Sequence, residues 1–360
     1  MTATAVAPGT SLKDHFLHLT PGKLMGLRQI TDENNRFKVF ALDQSNSFKK
    51  ALRAAAQNAG APKEPAYEDI RDAKLVMVRA LAAHASAVLL DVNFGARQAV
   101  NSFALPRGVG LIVRSEASRD AGLPSEYEPG WSVEKIKRMG ASAVKLLVYL
   151  DTENKDNVKA QIGFVQRLSK ECRANDILLM TEELSFPRKG EDKSSPSFKA
   201  RKVKNILEAT KLIGPHTDIL KLEFPGDIRA DSTQQLQDNL GKLNEAAIRP
   251  WVLLSAGEKF DFFIKQVELA MSAGCAGYMA GRAIFNEWFE QSGAAAKKAF
   301  LAGKGVERMK ALNAVVNGHA QPWTKRYELT PETLAAAVDP HWYLDGAKPK
   351  AEGAPVKGDY

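Results

Sequence analysis

The 360-residue chain is 44% hydrophobic and 26% charged, which is ordinary for a soluble globular protein. No apolar run approaches the roughly 18 residues needed to cross a bilayer, which argues against a membrane-spanning protein. The net charge of +8 comes from basic residues spread along the chain among 42 acidic ones, so it is compatible with an anionic small substrate and does not by itself indicate nucleic-acid binding.

The chain divides by composition into a central region and two ends. Residues 1–10 lack the charged start and the apolar core of a secretory signal. From Gly346 onward the chain is rich in Ala, Lys, Gly and Pro, and such a segment cannot bury enough apolar surface to offset its ordering entropy. We therefore predict an N-terminal extension over residues 1–22, one domain over residues 23–345 and a disordered tail over residues 346–360.

Cysteine and histidine usage indicates a metal-independent protein of a reducing compartment. Cys172 and Cys275 stand without CxxC or metal-type spacing, which fits the cytoplasm. A zinc site would require histidines that converge on strand ends, and no histidine falls at a predicted strand end. We therefore expect no metal, no other cofactor and a cytoplasmic location. The six histidines are His15, His18, His84, His216, His319 and His341.

Short β-branched or aliphatic runs recur through the middle of the chain and predict strands. Each run is too short for a typical helix, and most follow a turn signal such as Gly, Asn or Asp. The runs span residues 37–43, 86–91, 110–115, 142–148, 176–183, 218–224, 250–255 and 277–282.

Longer segments with helical periodicity separate most of these runs. The alternation predicts a parallel sheet with helical crossovers. Eight strands, with no GxGxxG after the first, favour a closed (β/α)8 TIM barrel over an open α/β sheet, which is the alternative. Residues 285–344 run past the eighth strand and predict extra C-terminal helices on the barrel wall. Examples of the helical segments are residues 67–85, 159–173, 198–213 and 260–274.

Polar side chains stand at the predicted carboxyl ends of the strands, where the catalytic groups of such barrels cluster. Any one of them could be an exposed loop residue, but together they predict a site at this end of the barrel. The set comprises Asp43, Asp91, Arg114, Glu116, Lys145, Glu182, Glu183, Lys221, Glu223, Ser255 and Arg282.

Lys221 lies in the apolar segment DILKLEFP. Because strand side chains alternate, Lys221 and Glu223 share one face while the neighbouring leucines point to the other. The leucines would meet the surrounding helices, so we expect Lys221 and Glu223 to face the barrel interior. A lysine is almost never fully buried unless it is paired or functional. An ion pair with Glu223 or Glu182 that only holds the barrel together is the alternative.

Lys145 has the same character on the fourth strand, in SAVKLLV. Two lysines in one cavity depress each other's pKa, and the lowered pKa makes one amine nucleophilic toward a ketone. The carbinolamine that forms gives an iminium ion, which is an electron sink for cleavage of the neighbouring C–C bond. We assign Lys221 as the nucleophile and Lys145 as its cationic neighbour, although spacing alone also allows the reverse.

Carboxylates at two strand ends are candidates for the proton transfers that cleavage needs. Glu182 ends the fifth strand after an apolar run, and partial desolvation would raise its pKa toward a useful value. Its neighbour Glu183 should face the other way, so only one of the two can serve. Asp43 ends the first strand and would assist proton transfer or hold a substrate hydroxyl. For each carboxylate a structural salt bridge is an equal alternative.

Small residues end the seventh and eighth strands, in LSAG and MAGR, and predict a phosphate site. Backbone N–H groups can approach an anion closely there, and a helix N-terminus adds a favourable dipole. Arg282 can add a charge-assisted contact. Two tight turns that simply need glycine are the alternative. The predicted residues are Ser255, Ala256, Gly257, Ala280, Gly281 and Arg282.

Eight segments of the chain resemble the tagatose 1,6-bisphosphate aldolase family of class I aldolases and, more distantly, the sulfofructose-phosphate aldolases. The likeness runs in order from about Lys23 to Tyr327. The segments are FALDQ, LLDVNFG, WSVEKIK, AVKLLVYLD, DILKLEFP, LSAG, AGRA and PW.

The resemblance implies a metal-free (β/α)8 aldolase that forms a Schiff base. It places the Schiff-base lysine at Lys221, in the motif KxExP, and the catalytic glutamate at Glu182. It matches an acid to Asp43 and the fourth-strand lysine to Lys145. With the motifs it predicts substrate or phosphate contacts at Gln44, Asp91, Glu223, Ser255, Ala256, Gly257, Ala280, Gly281 and Arg282.

The chain departs from the family pattern just after Asp43. The family usually has an arginine two residues later, in DQR, whereas Ser45 stands here. An arginine at that point would hold the distal anionic group of the substrate, so the second phosphate loses its expected partner. Lys49, Lys50 or the basic loop at 188–189 could replace it, or the substrate differs at that end.

These observations predict reversible cleavage of a ketose (bis)phosphate, with tagatose 1,6-bisphosphate preferred, to dihydroxyacetone phosphate and glyceraldehyde 3-phosphate. Fructose 1,6-bisphosphate and sulfofructose 1-phosphate are alternative substrates of the same mechanism. A non-catalytic sugar-phosphate sensor or partner protein is the alternative of another class, and Lys221, Lys145 and Glu182 weigh against it. We expect no nucleic-acid or membrane partner, and the sequence leaves a homo-oligomer open.

Overall fold

A computed structural model describes residues 19–60, 62–336 and 338. Eight parallel strands close into a barrel, each paired with the next in sequence and the last with the first. The predicted TIM barrel is confirmed, and each strand overlaps one predicted run. The strands are β1 (Phe37–Leu42), β2 (Ala87–Leu90), β3 (Gly110–Arg114), β4 (Ala143–Tyr149), β5 (Leu178–Leu184), β6 (Ile219–Leu222), β7 (Trp251–Leu254) and β8 (Gly277–Ala280).

Helices cross over between successive strands and continue after β8. Short 3-10 turns at Ala82–His84, Gly214–His216 and Asn286–Glu290 and a π-helical turn at Leu301–Gly305 accompany them. The helices are α1 (Pro21–Ile30), α2 (Asn46–Asn58), α3 (Tyr67–Leu81), α4 (Ala96–Asn101), α5 (Val133–Arg138), α6 (Lys155–Ala174), α7 (Pro196–Ile213), α8 (Thr233–Ala246), α9 (Phe260–Ser272), α10 (Arg282–Phe285), α11 (Gly293–Phe300), α12 (Val306–His319), α13 (Trp323–Arg326) and α14 (Pro331–Ala336).

The strands sort their side chains between the helix layer and the barrel interior. On β6, Leu220 and Leu222 are fully buried in the apolar layer shared with the helices. Lys221 points to the opposite face, into the barrel, as the alternation predicts. The same division places Val144 and Leu146 of β4 in the helix layer and leaves Lys145 to the interior.

The segment after β8 adds helices to the barrel wall, as predicted. Met309 and Leu312 of α12 are fully buried. The Tyr278 hydroxyl on β8 donates a hydrogen bond to Asn313 Oδ1 at 2.8 Å, which ties α12 to the barrel. None of the helices in the described ranges is long and apolar enough to cross a membrane.

The compact unit that contains the barrel ends at Tyr327, and a second unit begins at Glu328. Of the second unit, the structure describes residues 328–336 and 338, which include α14. The predicted tail over residues 346–360 lies outside the described residues, as do residues 1–18 of the predicted extension.

The pairing of β8 with β1 depends on Gly277. This residue has φ +149°, and a Cβ added to it would lie 1.9 Å from the Phe37 carbonyl oxygen of β1. We expect Gly277→Ala to lower the free energy of unfolding by about 2–4 kcal/mol, because backbone strain and the steric clash add. Urea denaturation followed by circular dichroism measures the change. Gly241→Ala is the matched control, since Gly241 lies in α8 with no atom near its missing Cβ, and it should lose nothing.

Candidate active site

A cavity of about 400 Å³ opens at the carboxyl ends of the strands. Its position agrees with the predicted site, and charged side chains make up much of its lining. They come from strands β3 to β6, from the segments that follow β1 and β3, and from helices α2 and α10. The charged lining residues are Asp43, Lys50, Arg114, Glu116, Arg119, Asp120, Lys145, Glu182, Lys221 and Arg282.

The ammonium group of Lys145 is the centre of the charge network. It lies 2.9 Å from Asp43 Oδ2, 2.8 Å from Glu116 Oε1 and 2.8 Å from Glu182 Oε2. All four side chains are at least nine-tenths buried, and Lys145 is only 1% exposed. Strand β4 therefore holds a cation that meets one carboxylate from β5 and two from the segments that follow β1 and β3.

The network keeps Lys145 protonated. Burial opposes its charge, but Asp43, Glu116 and Glu182 together raise the pKa of Lys145 well above its ordinary value. The expectation that the two lysines depress each other's pKa is therefore wrong for Lys145. The sequence pattern could show that two lysines share a cavity, but it could not show that three carboxylates surround one of them.

Glu182 links the two lysines. Its Oε2 atom lies 2.9 Å from Lys221 Nζ as well as 2.8 Å from Lys145 Nζ. Burial disfavours the Glu182 carboxylate, yet the two lysine charges outweigh it and lower the pKa of Glu182. The prediction that desolvation raises this pKa is therefore wrong, because the sequence pattern could not show that two lysines contact Glu182. Lys221, which is 4% exposed, contacts this carboxylate from the floor of the cavity.

Asp43 is fixed through its side chain and its backbone. Arg114 Nη1 donates to the Asp43 carbonyl oxygen at 2.8 Å. Burial opposes ionisation of Asp43, but Lys145, Lys221 and Arg114 hold its pKa well below the usual range. Gln44 lines the cavity beside it, with Nε2 3.4 Å from Asp43 Oδ1. The first-strand acid therefore sits in the cavity as a carboxylate.

Of the six residues predicted to bind phosphate, Arg282 lines the cavity. Its guanidinium packs on Gly257, where a Cβ would lie 2.8 Å from Arg282 Cζ and where φ is +80°. A Cβ on Gly281 would lie 2.3 Å from the Ala41 carbonyl oxygen. Gly257 therefore allows the close approach of Arg282, and Gly281 allows the close approach of β1. Ser255 is buried, and Ala256 has φ +47°, so these two residues form a tight turn beside the site.

The structure does not bring Asp91 to the cavity. Both Asp91 and Lys74 of α3 are completely buried and form an ion pair. The second carboxylate oxygen accepts from the Phe94 backbone N–H at 2.7 Å. The prediction of a substrate contact by Asp91 is corrected, because its carboxylate turns to the helix layer and is satisfied there.

Glu223 also lies away from the cavity, although it was predicted to share the interior face with Lys221. Strand β6 ends at Leu222, so the two-residue alternation does not extend to Glu223. Its Oε2 atom accepts from the Ser185 backbone N–H at 2.7 Å, and its Oε1 atom lies 3.3 Å from Lys202 Nζ of α7. Glu183 faces the same side, where burial and Glu223 raise its pKa well above the ordinary value.

Several cavity residues were not assigned a role from the sequence. Glu116 follows β3 by two residues, and its place among the polar strand ends was the only signal for it. Arg119 lies in the loop after β3, which has no periodicity that would indicate its direction. Of the candidates for the distal anion, Lys50 lines the cavity, whereas Arg188 is held by Asp151 at 2.7 Å.

The described residues contain no group of three or more His, Cys, Asp or Glu side chains arranged to hold a metal ion. The two cysteines are free and buried.

Comparison with known proteins finds relatives over most of the chain. The family described as DeoC/LacD family aldolase matches residues 38–287. A tagatose 1,6-diphosphate aldolase of Lactococcus lactis subsp. lactis is 29% identical over 332 residues, which cover 86% of this chain and 99% of that protein. A tagatose 1,6-diphosphate aldolase of Listeria monocytogenes serotype 4a (strain HCC23) is 27% identical, with coverage of 87% and 96%.

Solved aldolase structures share the fold at lower identity. An archaeal fructose 1,6-bisphosphate aldolase superposes with a TM-score of 0.54 and 18% identity, covering 82% of this chain and 99% of that one. The fructose-bisphosphate aldolase of Plasmodium falciparum superposes with a TM-score of 0.60 and 11% identity, covering 83% and 95%. These structures agree with the barrel described above.

The Lys145 network should make a large and pH-dependent contribution to stability. We expect Lys145→Met to lower the free energy of unfolding at neutral pH by about 3–5 kcal/mol, because it removes the cation that three buried carboxylates share and leaves Asp43 and Glu116 without their ion-pair partner. Without Lys145 the pKa values of these carboxylates rise in the folded protein, so they bind protons there more readily than in the unfolded chain. The deficit should therefore shrink as the pH falls from about 7 to 5. Urea denaturation at both pH values measures it.

Lys204→Met is the matched control for this prediction. Lys204 also serves two carboxylates, Glu153 at 3.4 Å and Glu208 at 3.9 Å, but its side chain is 62% exposed. Its loss should cost less than about 1 kcal/mol at either pH. A Lys145→Met variant no less stable than Lys204→Met would contradict the importance of the network.

Proposed function

The chain belongs to the DeoC/LacD aldolase family, and on that premise we propose that it cleaves a ketose phosphate reversibly through a Schiff base on Lys221. The family resemblance seen in the sequence is thereby confirmed. The observation that carries the assignment is the unequal environment of two lysines in one cavity. Lys145 contacts three carboxylates, and Lys221 contacts the Glu182 oxygen that it shares with Lys145.

This asymmetry supports Lys221 as the nucleophile. A Schiff base requires a neutral amine, and Lys145 is the lysine whose charge the network stabilises most strongly. Lys221 can transfer its proton to Glu182, 2.9 Å away, when a ketone enters the cavity. The reverse assignment, which spacing alone allowed, would require the most strongly paired cation to lose its proton.

The proposed reaction begins with attack of Lys221 Nζ on C2 of the ketose. The carbinolamine hydroxyl takes a proton from Glu182 and leaves as water, which gives the iminium ion. A carboxylate then removes the proton from the C4 hydroxyl, the C3–C4 bond breaks, and its electron pair moves into the iminium to give the enamine. The aldehyde departs, the enamine is protonated at C3, and water releases dihydroxyacetone phosphate and regenerates Lys221.

Glu182 and Asp43 are proposed to carry the protons of these steps. Both lie beside Lys145, whose fixed charge can stabilise the oxyanion that develops during cleavage. Glu182 faces the nitrogen of Lys221, which suits it to the carbinolamine and iminium steps. Asp43 follows β1 and pairs with Lys145 rather than with Lys221, which suits it to a proton or a hydroxyl farther along the sugar.

We propose tagatose 1,6-bisphosphate as the preferred substrate, because the curated relatives above carry that activity in their names. Arg282 would bind the phosphate next to the ketone. Lys50 would bind the distal phosphate in place of the arginine that Ser45 replaces. Two free, buried cysteines are compatible with the cytoplasmic location that we also propose.

Borohydride trapping tests the nucleophile. Dihydroxyacetone phosphate and borohydride should give a reduced adduct, and peptide mass spectrometry should place it on Lys221. Lys221→Met should abolish the adduct and lower kcat by roughly 10⁴-fold or more, because covalent catalysis is lost. Lys202→Met is the matched control, since Lys202 pairs with Glu223 outside the cavity, and it should retain adduct and activity.

Two results would contradict this assignment. An adduct on Lys145 would reverse the roles of the two lysines. A protein that binds dihydroxyacetone phosphate but forms no adduct would support the sugar-phosphate sensor. Cleavage should also persist in EDTA, and a loss of activity that added metal restores would support a metal-dependent reaction.

The role of Lys50 can be separated from that of its neighbour. We expect Lys50→Met to raise KM for tagatose 1,6-bisphosphate about tenfold, because a charge-assisted contact to the distal phosphate is lost. KM for tagatose 1-phosphate should not change. Lys49→Met is the matched control, since Lys49 is exposed and does not line the cavity. Equal increases in KM for the two variants would show that Lys50 contributes only to the overall positive potential and does not contact the distal phosphate.

A further inference from the structure

One hydroxyl group that lines the cavity takes no part in the network around Lys145. Tyr149 ends β4, and its side chain follows those of Lys145 and Leu147 on the interior face of that strand. Its hydroxyl forms no hydrogen bond with any of the described residues, and the oxygen remains accessible from the cavity. A phenol can both donate and accept a hydrogen bond, so this group can bind a molecule that enters the cavity.

The ring of Tyr149 is held in place by its surroundings. It packs edge-on against Phe186, with the ring centroids 6.1 Å apart and an interplanar angle of 84°. The Tyr149 carbonyl oxygen accepts from Asn157 Nδ2 at 3.1 Å and from Gln161 Nε2 at 3.2 Å, both on α6. The hydroxyl is therefore presented to the cavity by a ring and a backbone that are both fixed.

The strand register places Tyr149 above the reacting groups. Leu147 of β4 is paired with Glu182 of β5, and Tyr149 is paired with Leu184. Glu182 is paired in turn with Lys221 of β6. Tyr149 therefore stands two residues, or about 7 Å along the strand, nearer the cavity mouth than the level of Glu182 and Lys221. A ketose joined to Lys221 through C2 would place C3 and C4 between these two levels.

The charges of the site reach the Tyr149 hydroxyl. Burial and the negative charge of Glu182 raise the pKa of Tyr149, although the positive charges of Lys145 and Arg282 oppose the rise. The hydroxyl therefore keeps its proton at neutral pH. It can donate a hydrogen bond to a negatively charged oxygen, but it cannot act as a base.

The three N–H donors of Lys145 are already engaged. They meet Asp43, Glu116 and Glu182 at 2.8–2.9 Å, and an ammonium group has no fourth donor. An oxyanion that forms beside Lys145 is attracted by its charge but finds no free N–H there. The hydroxyl of Tyr149 is not committed in this way.

We propose that the Tyr149 hydroxyl donates a hydrogen bond to the C4 oxygen of the ketose and stabilises the negative charge that this oxygen acquires as the C3–C4 bond breaks. This inference rests on the proposed function. The proton of the C4 hydroxyl passes to a carboxylate, the electron pair of the C3–C4 bond moves into the iminium ion, and Tyr149 keeps its own proton. A donor that is in place before the charge develops lowers the barrier to that step.

Tyr149→Phe tests the proposal because phenylalanine keeps the ring against Phe186 and removes one oxygen. We expect kcat/KM for cleavage of tagatose 1,6-bisphosphate to fall about ten- to a hundredfold, as when a donor to a developing oxyanion is lost. Exchange of the C3 proton of dihydroxyacetone phosphate with solvent deuterium requires Lys221, but this substrate has no C4. Exchange, followed by NMR, should therefore slow much less, by at most about threefold.

Borohydride trapping with tagatose 1,6-bisphosphate distinguishes this inference from the proposed function. Mass spectrometry separates a six-carbon adduct on Lys221 from the three-carbon adduct of dihydroxyacetone phosphate. At the same early reaction time, slower breakage of the C3–C4 bond in Tyr149→Phe should raise the share of the six-carbon adduct above that of the wild-type protein. An unchanged share, or an equal loss of cleavage and exchange, would overturn the inference. No adduct of either kind in the wild-type protein would instead refute the proposed function.

Tyr67→Phe is the matched control. Tyr67 also packs its ring against a phenylalanine, with centroids 5.6 Å from those of Phe94, and its hydroxyl accepts from Gln98 Nε2 at 2.7 Å. It does not line the cavity. This variant should leave cleavage, exchange and the share of the two adducts unchanged. A loss of cleavage as large as that of Tyr149→Phe would show that removal of a tyrosine hydroxyl acts through the fold, and it would overturn the inference.

Discussion

The ammonium group of Lys145, shared among three buried carboxylates, is the interaction on which the site depends. An ion removed from water costs several kcal/mol unless its partners are in place. Here β4 supplies the cation, Glu182 comes from β5, and Asp43 and Glu116 come from the segments that follow β1 and β3. The barrel must close correctly for these charges to be satisfied, so correct closure and assembly of the site require the same contacts.

Charge balance around this ion also prepares the cavity for an anionic substrate. Lys145, Lys221 and Arg114 face the three carboxylates, and all six side chains are at least nine-tenths buried. Arg282 and Lys50 line the cavity in addition, and within the described ranges neither forms an ion pair. A phosphate-bearing substrate would therefore meet cations that do not first have to leave a carboxylate.

Much of the fold and part of the site could be predicted from local patterns. The alternation of strand side chains placed Lys221 and Lys145 in the barrel and separated Glu182 from Glu183. The same rule failed for Glu223, because β6 ends one residue before it and the pattern carries no information beyond that point. No local pattern indicates that several carboxylates converge on one lysine, since they come from strands far apart in sequence.

Asp91 shows that a polar residue at a strand end can lie outside the cavity and still help to position the residues that line it. Its partner Lys74 also donates to the Leu42 carbonyl oxygen at 3.0 Å, and Leu42 directly precedes Asp43. Leaving either charge of this completely buried pair alone would be costly, so α3 is held against the ends of β1 and β2. Asp43 enters the Lys145 network from a backbone that Lys74 fixes on one side and Arg114 on the other. The cavity therefore has a second layer of ionic contacts behind it, and that layer determines where its first carboxylate can stand.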